Sequence, residues 1–224
     1  MNNKDIYIVL PAKDEGLRIG KVIDAILAVG YQNIVLVNDA STDNTAEIGY
    51  SYSSVIVLNH IINLGSGGAT KTGLDYAVIK GAKYIATIDA DGQHLAEDLD
   101  MLLKEIQKDD YDLIVGSRFI KNNTIPKSRI FFNKVGNIIS LMLTGKYLTD
   151  SQSGLKVMTG DLAKKISIEY NGFEFCMEII KNAKHHKARI KELPISVMYD
   201  KATTEKGQNI WSGLNMIKRI LSPF

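Results

Sequence analysis

Thr87-Ile88-Asp89-Ala90-Asp91-Gly92-Gln93-His94 follows directly on the apolar run Tyr84-Ile85-Ala86. An apolar run that stops at a Gly-containing turn reads as a buried strand leaving a sheet. In extended chain, residues i and i+2 point the same way. Asp89 and Asp91 are therefore expected to aim their oxygens at a common point. Like charges so close need a cation between them. A hard divalent ion with oxygen ligands, Mg²⁺ or Mn²⁺, suits such a site, and ions of this kind commonly hold substrate phosphates too. A lone D-x-D is also compatible with a solvated turn, so the rest of the chain has to decide.

The chain of 224 residues suits one large domain or two small ones, and its 45% apolar and 23% charged content is that of a soluble globular protein. The single Cys176 excludes an internal disulfide and fits a reducing compartment. The polar start Met1-Asn2-Asn3-Lys4-Asp5 carries no signal-peptide pattern, and no run of about 18 apolar residues is available to span a membrane. The net charge of +2 conceals an asymmetry. Residues 1–117 hold 9 Lys and Arg against 17 Asp and Glu, a net of −8, and residues 118–224 hold 18 against 8, a net of +10. The acidic half suits a cation. The basic half suits phosphate, an anionic membrane surface or nucleic acid, or simply carries solvated lysines on helix faces.

Short apolar runs at Ile6–Leu10, Ile34–Val37, Val55–Leu58, Tyr84–Ala86 and Leu113–Gly116 alternate with segments of helical spacing. That rhythm predicts an α/β fold with a mainly parallel central sheet covered by helices on both faces. Ligands of such sheets bind beyond the carboxyl ends of the strands. Pro11–Glu15, Asp39–Asp43 and Asp89–His94 all fall at those ends. After Gly116 the rhythm breaks. An apolar helix is expected over Ile130–Leu143, another over Phe173–Ala183, and a strand over Ile190–Val197 broken by Pro194. The stripe Ile210, Leu214, Ile217 and Leu221 predicts an amphipathic C-terminal helix, packed on its own domain or lying in a membrane interface.

The ordered set of motifs resembles family 2 glycosyltransferases of the GT-A fold, in particular those of the dolichol-phosphate mannosyltransferase and polyprenyl-phosphate glycosyltransferase kind. Pro11-Ala12-Lys13-Asp14-Glu15 stands for the family's P-A-x-N-E, and Val37-Asn38-Asp39-Ala40-Ser41-Thr42-Asp43-Asn44-Thr45 for V-D-D-x-S-x-D-x-T. Asn63-Leu64-Gly65, Asp89–His94, Gly116-Ser117-Arg118, Ser153-Gly154-Leu155-Lys156, Gly172–Glu178 and Glu192–Ile195 follow in the family's order.

The resemblance implies roles. Pro11, Ala12, Glu15, Val37, Asp39, Asp89, Ala90 and Lys206 would bind the nucleotide sugar, with Asp39 accepting hydrogen bonds from base or ribose. Asp89, Asp91 and Gln93 would hold Mg²⁺ or Mn²⁺ on its diphosphate. Asp91, Arg118 and Arg129 would carry the catalysis, the two arginines gripping an acceptor phosphate through their guanidinium forks. The implied reaction is metal-dependent, inverting transfer of a sugar from GDP-mannose or a UDP-hexose to dolichyl or polyprenyl phosphate. Transfer to a hydroxyl acceptor and a non-catalytic nucleotide-binding subunit are the alternatives. Implied surroundings are the cytoplasmic face of a membrane, with peripheral attachment, a possible membrane-anchor subunit and no nucleic acid. Residues 1–117 would form the nucleotide-sugar-binding half of one GT-A domain and residues 118–224 its acceptor-binding half.

The sequence departs from the pattern at Asp14, at Asn38, and at Asp200 and Glu205 in the late loop, where only Lys206 is kept. Gly65–Thr72 nearly spells a P-loop, but Thr70 stands where that motif requires Gly.

Overall fold

The computed structural model describes residues 3–108, 110–121, 130, 133–134, 137–138, 141, 145, 147–172 and 174–198. Seven strands form one sheet: β1 (Ile6–Ala12), β2 (Ile34–Asn38), β3 (Val55–Asn59), β4 (Tyr84–Thr87), β5 (Leu113–Ser117), β6 (Lys156–Thr159) and β7 (Ile190–Pro194). Their order is β3-β2-β1-β4-β6-β5-β7. Every neighbouring pair is parallel except those made by β6, which runs antiparallel to both β4 and β5.

The expected parallel strands are present, and the physical cause is visible. β2 and β4 are buried at every position, as strands covered on both faces must be. Alternation along the strands divides the core. Ile8, Leu10, Ala86, Ile114 and Val157 face a layer that contains Ile23, Leu99 and Leu102. Val9, Ile85, Leu113, Val115 and Met158 face a layer that contains Leu74, Ile179 and Ile180. The first layer is supplied by helices α1 (Ile19–Ala28) and α4 (Ala96–Ile106). The second is supplied by α3 (Gly65–Ile79) and α6 (Phe175–His185); the short α2 (Thr45–Tyr50) precedes α3 and the short α5 (Gly160–Ala163) precedes α6 in sequence.

Two expectations need adjusting. β6 is a strand that the apolar pattern does not announce, because it opens on Lys156 and follows the polar run Ser151-Gln152-Ser153. β7 ends at Pro194, paired to Ser117 at the sheet edge, where a missing N–H is tolerated. Beyond it, Val197 makes an isolated antiparallel bridge to His94. Residues 130, 133–134, 137–138 and 141 are helical, within the span expected for the apolar helix. The C-terminal amphipathic stripe lies outside the described residues.

Candidate active site

β4 ends at Thr87, and the chain then turns through Gly92, whose φ of +74° lies where a side chain would strain the backbone. Both carboxylates of the D-x-D sit on this turn, and each is braced separately. Asp91 accepts the backbone N–H of Gln93 at 3.0 Å on Oδ1 and the Gln93 side-chain amide on Oδ2. Asp89 has its Oδ2 3.6 Å from His94 Nε2. Gly154 lies directly against Asp89, and Thr87 Oγ1 holds the Gly154 carbonyl at 2.9 Å. The Asp89 side chain is 45% exposed, so its carboxylate can be reached from solvent.

The two carboxyls titrate in opposite directions. Burial pushes Asp89 up, but the His94 hydrogen bond and the charges of His94, Arg118 and Lys156 outweigh it and hold the group below the usual Asp value. Burial pushes Asp91 up, the adjacent Asp89 charge adds to the shift, and Asp91 stays raised. Lys156 is fully buried with its ammonium on the Ser153 carbonyl, so its charge reaches Asp89 from inside the protein.

Among the described residues, no cluster of three or more His, Cys, Asp or Glu side chains has metal-holding geometry. The site is therefore not a self-sufficient cage. It offers two carboxylates, one of them destabilised by its neighbour's charge. That donor set fits a hard divalent cation whose remaining ligands are substrate phosphate oxygens and water. Gln93 braces Asp91 through its amide nitrogen.

The strand-end loops after β1 and β2 are tied to one another. Asp14 and Ala40 both adopt positive φ, 53° and 55°. Asp14 N–H donates to Ser41 Oγ at 3.0 Å, and Asp14 Oδ1 accepts Thr42 N–H at 2.7 Å. Gly16 N–H donates to Asp43 Oδ2, and Glu15 N–H to Thr45 Oγ1, both at 2.8 Å. These bonds account for the departure at position 14, because a carboxylate there accepts from the facing loop. Asn38 likewise has a local use: its oxygen accepts Ser41 N–H and its amide donates to Asn59. The Glu15 carboxylate pairs with Arg18 at 3.0 Å, and its charge is felt at Asp91.

Several residues expected at the nucleotide have buried side chains. Val37 and Ala90 have their side chains in the core. Asp39, also expected at the nucleotide, is committed to hydrogen bonds within the protein. Its side chain is 3% exposed, and its oxygens accept Leu64 N–H and Gly65 N–H at 2.8 Å each and His60 Nδ1–H at 2.7 Å. Asp39 thus closes the start of α3, a position where a carboxylate is favoured. Sequence reading missed His60, which has no motif around it. The glycines at the start of α3 lie against crossing backbone. A β-carbon at Gly67 would lie 2.0 Å from the Tyr170 carbonyl, and one at Gly65 would lie 2.3 Å from that of Asn171. They are small because the backbone of residues 170–172 crosses there.

Arg118 follows the end of β5 and its charge reaches Asp89. Asp150 holds its guanidinium, with Nε 2.6 Å from Oδ2 and Nη2 2.8 Å from Oδ1. Pro11 and Ala12 end β1, with Ala12 O accepting Asp39 N–H at 2.9 Å. The structure therefore brings Glu15, Asp89, Asp91, Gln93 and Arg118 to one end of the sheet. Arg129 and Lys206 lie outside the described residues.

A parallel sheet with one reversed strand and an acidic D-x-D turn at its carboxyl end define a GT-A glycosyltransferase fold. The chain belongs to glycosyl transferase family 2, which it matches over residues 7–157. It is 35% identical over 243 residues to the UDP-N-acetylglucosamine–dolichyl-phosphate N-acetylglucosaminyltransferase of Methanococcus voltae, covering 99% of this chain and 96% of that protein. It is 28% identical over 222 residues to the undecaprenyl-phosphate mannosyltransferase of Micrococcus luteus, covering 93% and 88%. Glucosyl-3-phosphoglycerate synthase from Mycobacterium tuberculosis, solved in complex with Mn²⁺, UDP and phosphoglyceric acid, superposes with a TM-score of 0.72 at 15% identity, over 98% of this chain and 79% of that one. At that identity the likeness is one of fold. Among the described residues, no helix is long and apolar enough to cross a membrane.

Proposed function

We propose that this glycosyltransferase moves a sugar from a nucleoside diphosphate to a polyprenyl or dolichyl phosphate, with inversion at the anomeric carbon. The observation that carries the reading is the pairing of two sites at one end of the sheet. The Asp89 and Asp91 carboxylates mark where a cation would sit, and Arg118, on the next loop, marks where an anion would sit. The Methanococcus voltae relative supports a UDP-linked donor, and UDP-N-acetylglucosamine is the first to test.

In this reading an oxygen of the lipid phosphate attacks the anomeric carbon as the bond to the nucleoside diphosphate breaks. The nucleophile is already an anion at neutral pH, so no strong general base is required. The protein must instead bring two anions together. Asp89 and Asp91 would hold Mg²⁺ or Mn²⁺, with Gln93 holding Asp91 in place, and the ion would neutralise the departing diphosphate. Arg118 would clamp the acceptor phosphate, assisted by Arg129, and Lys206 would contact the diphosphate. The tied loops after β1 and β2, with Pro11, Ala12 and Glu15, would wall the nucleotide. Residues 118–224 would form the acceptor-binding half, at the cytoplasmic surface of a membrane, alone or beside an anchor subunit.

The test is incubation with labelled UDP- and GDP-sugars and Mn²⁺, with geranyl phosphate or a polyprenol as acceptor. The reading expects product with the phosphate and none with the alcohol. Transfer to the alcohol alone would move the assignment to hydroxyl acceptors.

A further inference from the structure

Arg118 is anchored more thoroughly than its position after a strand requires. Besides the two guanidinium contacts, its backbone N–H donates to Asp150 Oδ2 at 3.1 Å. Asp150 has no solvent exposure. A buried carboxylate is tolerated only when paired and hydrogen-bonded. Its setting is fixed in turn. On β7, the Glu192 carboxylate accepts Thr149 N–H at 2.9 Å, Thr149 Oγ1–H at 3.0 Å and Asp150 N–H at 3.0 Å. Asn133 and Asn137 donate to the Thr149 carbonyl at 2.9 and 2.7 Å, and Asn137 Oδ1 accepts Ser151 N–H at 3.0 Å. Three separate parts of the chain therefore converge on Thr149-Asp150-Ser151.

We infer that Asp150 is a positioning residue for the transfer: it sets the plane of the Arg118 guanidinium toward the anionic acceptor, and Glu192 and Asn137 hold Asp150 in that setting. A fork to a carboxylate uses two of the five guanidinium N–H groups and fixes the orientation of the others. The inference rests on the reading of Arg118 as the acceptor-phosphate clamp. A guanidinium free to swivel would still attract phosphate, but it would not present a fixed pair of donors, and misplacement of about 1 Å costs roughly 10²-fold in rate.

The experiment measures transfer from UDP-N-acetylglucosamine to geranyl phosphate with Mn²⁺, alongside UDP binding, for Arg118→Ala, Asp150→Asn and the double variant. Asp150→Asn is expected to lower kcat/KM for geranyl phosphate by roughly 10²-fold and to leave the UDP dissociation constant unchanged. In the Arg118→Ala background it should add no further loss, since the two residues act as one unit. Glu192→Gln should lower the same constant in the same direction with the thermal midpoint kept, and it serves if Asp150→Asn does not fold. Additive losses, or an equal weakening of UDP binding, would make Asp150 a general structural residue and overturn the inference. A loss on Arg118→Ala with none on Asp150→Asn or Glu192→Gln leaves the clamp standing and removes the inference alone. An unchanged acceptor constant in Arg118→Ala removes the clamp reading itself, and the inference goes with it.

Discussion

Gly154 lies beneath the Asp89 carboxylate so closely that a β-carbon at 154 would come within 2.2 Å of Asp89 Oδ2 and 2.4 Å of its Cγ. Only a hydrogen fits between the loop before β6 and the carboxylate. Gly154→Ala must displace Asp89, because the Gly154 carbonyl is held by Thr87 Oγ1 and cannot yield freely. A shift of about 1 Å in a cation ligand predicts a loss of transfer near 10²-fold. Overpacking should also cost about 1–3 kcal/mol of stability. Initial-rate assays and urea unfolding read the two effects. Full activity in Gly154→Ala would mean that Asp89 is not where the chemistry needs it.

The surroundings of Asp91 disfavour its charged form. Burial and the charge of Asp89 both raise it, and the backbone bond from Gln93 and the charge of His94 offset them only in part. Asp91→Asn removes the disfavoured charge and keeps the shape. Transfer should fall by about 10²–10³-fold, the size of effect seen when one electrostatic group of an active site is removed. The thermal midpoint of the cation-free protein should not fall. Calorimetry without metal, next to the transfer assay with Mn²⁺, separates the two. A variant that loses activity only because it unfolds would contradict the expectation.

Legibility in the sequence followed physical lines. Strands buried on both faces, such as Ile34–Asn38 and Tyr84–Thr87, announce themselves as unbroken apolar runs. The D-x-D turn and Arg118 stand out in the sequence as particular residue types at fixed spacing, and the structure places both just past the ends of their strands. β6 was not, since its Lys156 is buried by the tertiary structure and reads as polar in sequence. Asp39 carries an ambiguous signal: a carboxylate at a strand end can serve a ligand or a neighbouring helix start, and its bonds to Leu64 and His60 appear only once the chain is folded. Asp150 left the faintest trace, one acid in a polar turn, because its partner Arg118 is 32 residues away in the chain.

Asp39 gives the third prediction. Its own side chain is buried, and its oxygens accept from the half-buried N–H groups of Leu64 and Gly65 and from His60. Asp39→Ala removes the acceptor of the half-buried Leu64 N–H and one of the two acceptors of Gly65 N–H, which keeps Asn63 Oδ1 at 2.8 Å. The expected cost is about 2–5 kcal/mol of folding stability. UDP affinity, measured well below the unfolding midpoint, should change far less than stability does. An Asp39→Ala protein as stable as the parent that no longer binds UDP would restore the direct nucleotide contact.

Acid should loosen the contact between α4 and β7. Glu105 accepts from Lys108 at 2.6 Å and from Lys191 at 2.7 Å, and these bonds hold its carboxyl at about 2, below the usual 4.5. A lowered folded-state value contributes stability that is complete above the unfolded value. It is lost as pH falls from 4.5 toward about 2. Glu105→Gln should therefore flatten the acid limb of the stability profile over that window and leave the profile unchanged in shape at neutral pH. Urea midpoints taken at several acidities provide the comparison. The groups are partly open to solvent and so partly screened, and added salt should shrink the difference.

Gly67 offers the sharpest separation of fold from ligand. Its N–H donates to the Asn171 carbonyl at 2.9 Å, and a β-carbon there would sit 2.0 Å from the Tyr170 carbonyl. Backbone crosses backbone, so neither side can turn away as a flexible side chain could. Within a helix, alanine would otherwise be favoured over glycine by roughly 0.5–1 kcal/mol. The clash reverses that sign, and Gly67→Ala is expected to destabilise by about 1–3 kcal/mol, the ordinary cost of overpacking. If this glycine instead existed to let phosphate approach the helix start, alanine would spare the fold and abolish donor binding. Thermal unfolding together with UDP titration of the one variant decides between the two, and a stable Gly67→Ala protein blind to UDP would return the glycine-rich segment to the nucleotide site.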